Sequence, residues 1–224
     1  MWMMACLFLA VLLFTACRDE QPVLQEQPAA VRAPASASGT AAGTAVSTIA
    51  VRRADGSEVM TVAIQDGTVD LTLSDSGAKR ALRGETRDSG KRKYSIDGGE
   101  TRFEVKSGEG SDFKLRGADG SLRWKVKIDA GKILISDNEQ NDKAFELKVR
   151  DGDRIKVFGP GDRELGNVRF DRAASKIAIE DAAGKTLYTV ETTSPSAGYG
   201  VLLLDAIPDV QRQILVAEIL SRGR

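Results

Sequence analysis

From residue 48 to residue 191 the chain alternates. Leu122, Trp124, Val126 and Ile128 fall on one side of the backbone, and Arg123, Lys125 and Lys127 on the other. Phe103 and Val105 alternate with Arg102, Glu104 and Lys106. Phe145, Leu147 and Val149 alternate with Glu146, Lys148 and Arg150, and Ile177 and Ile179 repeat the pattern. A period of two with one charged face predicts antiparallel sheet with one face in water. Gly-centred turns punctuate these runs, among them Asp55-Gly56, Asp66-Gly67, Ser89-Gly90, Asp97-Gly98, Asp119-Gly120, Ala130-Gly131, Asp151-Gly152, Pro160-Gly161 and Ala183-Gly184. Asp-Gly between apolar runs marks a hairpin, because a type I′ turn needs positive φ at both central residues. The expectation is a meander of about 12–14 short strands.

After Ser194 the period changes. Ser194-Pro195 reads as a helix cap followed by proline at the first helical position. Tyr199, Val201, Leu202, Leu203, Leu204 and Ala206 then form an almost wholly apolar stretch, and Pro208-Asp209 opens a second one. There Val210, Ile214, Leu215, Val216, Ala217, Ile219 and Leu220 cover most of the helix circumference. A helix apolar nearly all round belongs inside something. Asp205, Pro208 and Asp209 break the run, so protein rather than lipid should cover it. The charged outward residues of the strands argue equally against a transmembrane barrel, whose lipid-facing set must be apolar.

Two segments precede the sheet. Trp2 to Ala16 is apolar and uncharged, ending in Leu13-Phe14-Thr15-Ala16-Cys17. At roughly 15 residues it is shorter than the ~20 a membrane-spanning helix needs and matches the apolar region of a secretory signal. Its end resembles the lipobox of bacterial lipoproteins, in which the cysteine is acylated and becomes the mature N-terminus. Phe14 stands where that motif usually carries Leu, and the segment before it lacks Lys and Arg. The resemblance implies cleavage after residue 16, lipidation of Cys17 and attachment to a membrane of the cell envelope. Residues 17–47 are rich in Ala, Pro, Ser, Thr and Gly and show no periodicity. Such composition reads as a tether, with a coil dimension on the order of 30 Å. The expected organisation is therefore signal 1–16, tether 17–47, and barrel domain 48–222 with C-terminal helices over 195–222.

Composition narrows the chemistry. Lys+Arg and Asp+Glu are each 32, and this balance argues against nucleic-acid binding and against a polybasic membrane anchor. The chain has no histidine, and its two cysteines are Cys6 and Cys17. Cys–His zinc sites, disulfides in the mature domain, and Ser–His–Asp or Cys–His catalysis are thereby excluded. No catalytic residue, cofactor or metal ligand is expected.

Other motifs have plain structural readings. The acidic loop Ser136–Asp142 offers oxygens that calcium accepts, but Asp142 stands where the EF-hand spacing needs Gly, so it reads as a solvated hairpin loop. Asp151-Gly152-Asp153 reads as a turn. Lys91-Arg92-Lys93, Arg52-Arg53 and Lys79-Arg80 read as exposed strand ends, with contact to anionic headgroups as the alternative. Trp124, Tyr94 and Tyr188 read as core. Gly108-Glu109-Gly110 precedes a strand and lacks the helix N-terminus that phosphate loops use.

A dozen or so short strands followed by one very apolar C-terminal segment resembles the tubby-like barrel shared by tubby, phospholipid scramblases and LURP-one-related proteins. The stretch from Phe145 to Val190 is the most similar in texture. The resemblance implies an antiparallel barrel closed around a hydrophobic C-terminal helix, which also removes both sheet edges. It rests on element order, so no functional residue carries over. A lipocalin-like barrel would have fewer strands, and a propeller has room for three or four blades at ~40 residues each. Two functional classes follow: a lipid-anchored, non-enzymatic structural or interaction module, or a protein that binds a phospholipid or acyl chain.

Overall fold

The computed structural model describes residues 47–75, 78–87 and 89–223. Cys17, the expected signal and nearly all of the expected tether lie outside them. Among the described residues fourteen strands follow one another: β1 Ser47–Arg53, β2 Glu58–Gln65, β3 Thr68–Asp75, β4 Ala78–Thr86, β5 Lys91–Ile96, β6 Thr101–Ser107 and β7 Phe113–Gly117. The second half comprises β8 Leu122–Asp129, β9 Lys132–Ser136, β10 Phe145–Val149, β11 Arg154–Gly159, β12 Arg163–Asp171, β13 Lys176–Asp181 and β14 Thr186–Glu191. Each pairs antiparallel with its sequence neighbours, and β1 pairs with β14 through Val51↔Val190, closing the barrel. The fold is mainly β, as the alternation implies.

Turn chemistry sets the hairpin registers. Asp66 and Gly67 both have positive φ, +44° and +79°, which is the type I′ geometry that a two-residue hairpin favours. At Asp55-Gly56 only the glycine is left-handed, and Gly56 N–H donates to the Arg53 carbonyl at 2.9 Å. Asp55 caps this wider turn by accepting from the Ser57 N–H at 2.8 Å. Its carboxyl is held below the usual range, chiefly by the Ser57 hydroxyl and N–H that donate to it.

Barrel width decides what must lie inside. About eight strands give a lumen that inward side chains fill by themselves; fourteen leave room for a helix about 10 Å across. The C-terminus occupies that space. A 3-10 helix, Ala197–Leu203, packs on β10 to β13, and α1, Asp209–Ser221, packs on it and on β2 and β3. Val201, Leu204, Ile214, Leu215, Val216, Ala217 and Ile219 are all fully buried. They meet the inward residues of the wall, such as Val62, Leu71, Leu115, Val126, Ile135, Leu147, Val157 and Ile179, in one continuous core.

The helix start differs from the sequence reading. Ser196, not Ser194, is the cap of the 3-10 helix, its hydroxyl accepting from the Gly198 N–H at 3.1 Å. Pro195 therefore lies outside the helix, in the wall of a cavity at the barrel mouth. Pro208 occupies the cap position of α1 with Asp209 first inside it. A carboxylate in a first turn is favoured by the helix dipole, and Arg212 ties Asp209 and Asp205 together, the latter at 2.8 Å.

Candidate functional site

One residue of the plug is out of character. Glu218 of α1 is charged, yet 0% exposed. Burying a lone carboxylate costs several kcal/mol, so the surroundings must answer it. Its Oε1 accepts from the Tyr94 hydroxyl at 2.7 Å and from the Arg92 guanidinium at 2.7 Å. The Arg222 guanidinium contacts Oε2 from the next turn and also donates to the Glu218 carbonyl at 3.0 Å. Ser221 completes the group, its hydroxyl donating to the same carbonyl at 2.9 Å and accepting from Arg92 at 3.3 Å. Arg222 in turn lies over the Phe113 ring, 4.3 Å from its centroid.

Strand alternation explains how these groups meet. In β5 Tyr94 points inward, and Arg92, two residues earlier, shares its side. The basic triplet Lys91-Arg92-Lys93 is therefore split: Lys91 pairs with Glu104 at 3.1 Å, Lys93 is exposed, and Arg92 turns in to Glu218. Opposite Tyr94 on β4 stands Gly84. A Cβ there would lie 2.6 Å from the Tyr94 ring, so glycine makes the space in which the phenol lies flat toward α1.

Electrostatics follow the geometry. Burial, then the Glu218 charge, pushes the Tyr94 phenol well above its usual pKa, so Tyr94 is a neutral donor. Burial works against the Arg92 cation, but Glu218 and Tyr94 outweigh it and hold its pKa above the ordinary value. A second buried phenol, Tyr199, is pushed up to about 12 by burial, with Thr192 opposing. Its oxygen makes no hydrogen bond of good geometry among the described residues. The Glu218 cluster offers a neutral phenol, a carboxylate and two guanidinium side chains. It is suited to hold α1 in one rotation and depth rather than to move protons.

The other sequence candidates separate cleanly. Trp124 is core, and its indole N–H donates to Gln211 of α1 at 2.7 Å, a second polar tie between wall and plug. Tyr94 is core as well, but its role is that of a donor. The acidic loop is folded on itself around Asn138, which donates to the Asp142 carbonyl at 2.8 Å and accepts its N–H at 2.9 Å. Glu139 turns out to Lys114 at 2.7 Å, whose hydrogen bond is the main reason its carboxyl sits below the usual range. Among the described residues no three Asp, Glu, His or Cys side chains converge as metal ligands. Asp153 of the Asp151-Gly152-Asp153 turn pairs with Arg172 at 2.6 Å. Val149 departs from its alternation: at the end of β10 it is 43% exposed. It lines the mouth cavity of about 210 Å³ with Ile128, Ile133, Ile155 and Pro195.

These features define a closed antiparallel barrel plugged by its own C-terminus. No family model, curated protein or solved structure matches the chain. Arg92 and Glu218 are the residues that sequence reasoning missed. The one available signal was Glu218 itself, a lone carboxylate in the apolar run Ile214–Leu220.

Proposed function

We propose that this chain is a lipid-anchored protein of the bacterial envelope, held by Cys17, whose barrel is a non-enzymatic structural or interaction module of tubby-like type. The observation that carries the reading is the occupied lumen. A barrel that binds an acyl chain or phospholipid keeps its interior for the ligand, whereas here Tyr199 to Leu204 and Ile214 to Ile219 take that space. The apolar cavity at the mouth, about 210 Å³, is smaller than the roughly 300–1,000 Å³ of ordinary ligand pockets. The absence of histidine and of any cysteine beyond residue 17 supports a role without catalysis.

Two measurements test this. Cys17→Ser should move the protein from the membrane to the soluble fraction; retention equal to wild type would refute the anchor. Native mass spectrometry after gentle extraction should give the mass of the acylated chain alone. A stoichiometric co-purifying phospholipid that survives in Cys17→Ser would favour the lipid-binding alternative.

A further inference from the structure

Four lysines stand side by side on the outer wall of the barrel. The register pairs Lys91 of β5 with Lys106 of β6, Lys106 with Lys114 of β7, and Lys114 with Lys125 of β8. Their chain neighbours Val105, Phe113, Leu115, Trp124 and Val126 are buried in the core, and Arg92 turns in to Glu218, so the lysines face outward. Neighbouring strands lie about 4.8 Å apart, and the row repeats at that interval. Lys93 and Lys127 lie two residues along from it on the same face.

Such a row works against folding. Like charges directly opposite across a sheet are destabilising. Lysines can blunt an exposed sheet edge, but β5 to β8 are central strands of a closed barrel and have no edge to protect. Neutralisation is partial. Glu104 meets Lys91 at 3.1 Å. Glu139, from the loop between β9 and β10, meets Lys114 at 2.7 Å and stands 3.9 Å from both Lys125 and Arg116. Asp119 answers Arg123 at 3.4 Å. Glu85, opposite Lys93 in the register, pairs with Arg83 and Arg87 instead. Lys93 and Lys106 are exposed, and neither they nor Lys127 form an ion pair among the described residues. In a chain of zero net charge, the fold gathers surplus cation on one wall.

Glu139 shows which anion the row accepts, since both of its carboxylate oxygens take the Lys114 ammonium at 2.7 Å. Spacing narrows the class. An extended acidic peptide presents same-face carboxylates every second residue, about 6.6 Å apart, which overshoots the row. A polyuronate carries one carboxylate per sugar ring, close to the strand spacing. The aromatic residues of these strands, Tyr94, Phe103, Phe113 and Trp124, all pack in or against the core. No outward ring is left on which a nucleic-acid base could stack, and the outward residues of β5 to β8 supply no apolar side chain to enter a lipid interface.

We propose that the outer wall of β5 to β8 is a docking surface for a linear carboxylated polysaccharide, laid along the lysine row across the strands. Glu139 is the internal carboxylate that it displaces from Lys114 and Lys125. The surface lies wholly on the barrel, so Cys17→Ser should bind as wild type does even where the anchor reading fails.

The test is fluorescence polarisation of labelled polygalacturonate, titrated with the full-length protein in uncharged polyoxyethylene micelles. Polygalacturonate should bind at low ionic strength and weaken as salt screens the wall, whereas neutral dextran should not bind. Lys106→Gln should bind several-fold more weakly and lower the salt slope by roughly one. Its melting temperature should equal or exceed that of wild type, because an opposed charge is removed, so weaker binding is not a loss of folding. Glu139→Gln should bind more tightly, since Lys114 and Lys125 are released to the ligand. Lys185→Gln, the same charge change on the far wall, should bind as wild type does. Failure of polygalacturonate to bind, an equal loss in Lys185→Gln, or no gain in Glu139→Gln would overturn the proposal. Tighter binding to polyglutamate, to oligothymidylate, or to vesicles of equal parts phosphatidylglycerol and phosphatidylcholine would overturn it as well.

Discussion

The Tyr94 hydroxyl donates to Glu218 at 2.7 Å across 124 positions of sequence, joining the fifth strand of the barrel to the helix inside it. Glu218 takes two donors from β5, so this bond and its Arg92 companion favour one seating of α1, while Arg222, at the end of the same helix, contacts the other carboxylate oxygen. A buried ion pair is a poor source of net stability but a good source of registry.

Removing the carboxylate should therefore be costly while removing one donor is tolerated. Glu218→Ala leaves two guanidiniums facing a void, and we expect a loss of about 3–5 kcal/mol in urea unfolding. Tyr94→Phe should cost about 1–3 kcal/mol. The double variant should cost less than the sum, since the two losses share one interaction. Strict additivity would show that the bond carries no coupling.

Alkaline pH should destabilise the barrel in a defined window. The folded state raises the phenol pKa of Tyr199 from 10 to about 12, and that of Tyr94 well above 10, in both cases mainly through burial. A raised folded pKa gives stability that is complete below the unfolded value and is lost as pH climbs through the folded one. For Tyr199 the loss falls between pH 10 and about 12, and amounts to roughly 2–3 kcal/mol. Denaturant midpoints measured across this range should fall, with tyrosinate absorbance rising along with unfolding. Tyr199→Phe should flatten part of the decline; an unchanged slope would remove Tyr199 as a cause.

Leu203 is 7% exposed and Leu204 0%, so the C-terminal segment is core rather than appendage. Leu203→Ala should cost about 2–5 kcal/mol, and Leu203→Lys should prevent folding, because an unpaired interior charge exceeds the margin of a domain. Deleting residues 195–224 should abolish the cooperative thermal transition. A truncated sheet that stays soluble with an unchanged midpoint would refute the plugged architecture.

Gly84→Ala should act at a distance of one strand. The new methyl would meet the Tyr94 ring at 2.6 Å, displacing the phenol from Glu218 at a cost of about 1–3 kcal/mol. Combining it with Tyr94→Leu should relieve the clash but not restore the hydrogen bond. Calorimetry on the two variants and their combination separates the two terms.

The fold was largely legible because its signals are local. Alternation from Leu122 to Ile128 and the Asp66-Gly67 turn each need only a few neighbouring residues to act, and the structure has those strands and that type I′ turn. The all-round apolar run from Val210 to Leu220 likewise announced an enclosed helix, and Val216, Ala217 and Ile219 are each 0% exposed. Meander order, a strand count of about 12–14 and most inward sets of side chains were thus legible in the sequence, Val149 being an exception.

Tertiary structure decided what depends on distant partners. Closure rests on Val51 meeting Val190, a pairing between the two ends of the meander that no local window contains. Arg92 read as one cation in a surface triplet, and only the position of α1 makes it the partner of a buried carboxylate. Asn167 lies beside inward Val168 on β12, yet the fold leaves it only 7% exposed. A side chain's periodicity is set by its own backbone, whereas its charge state and hydrogen bonds are set by whatever the fold brings within about 3 Å.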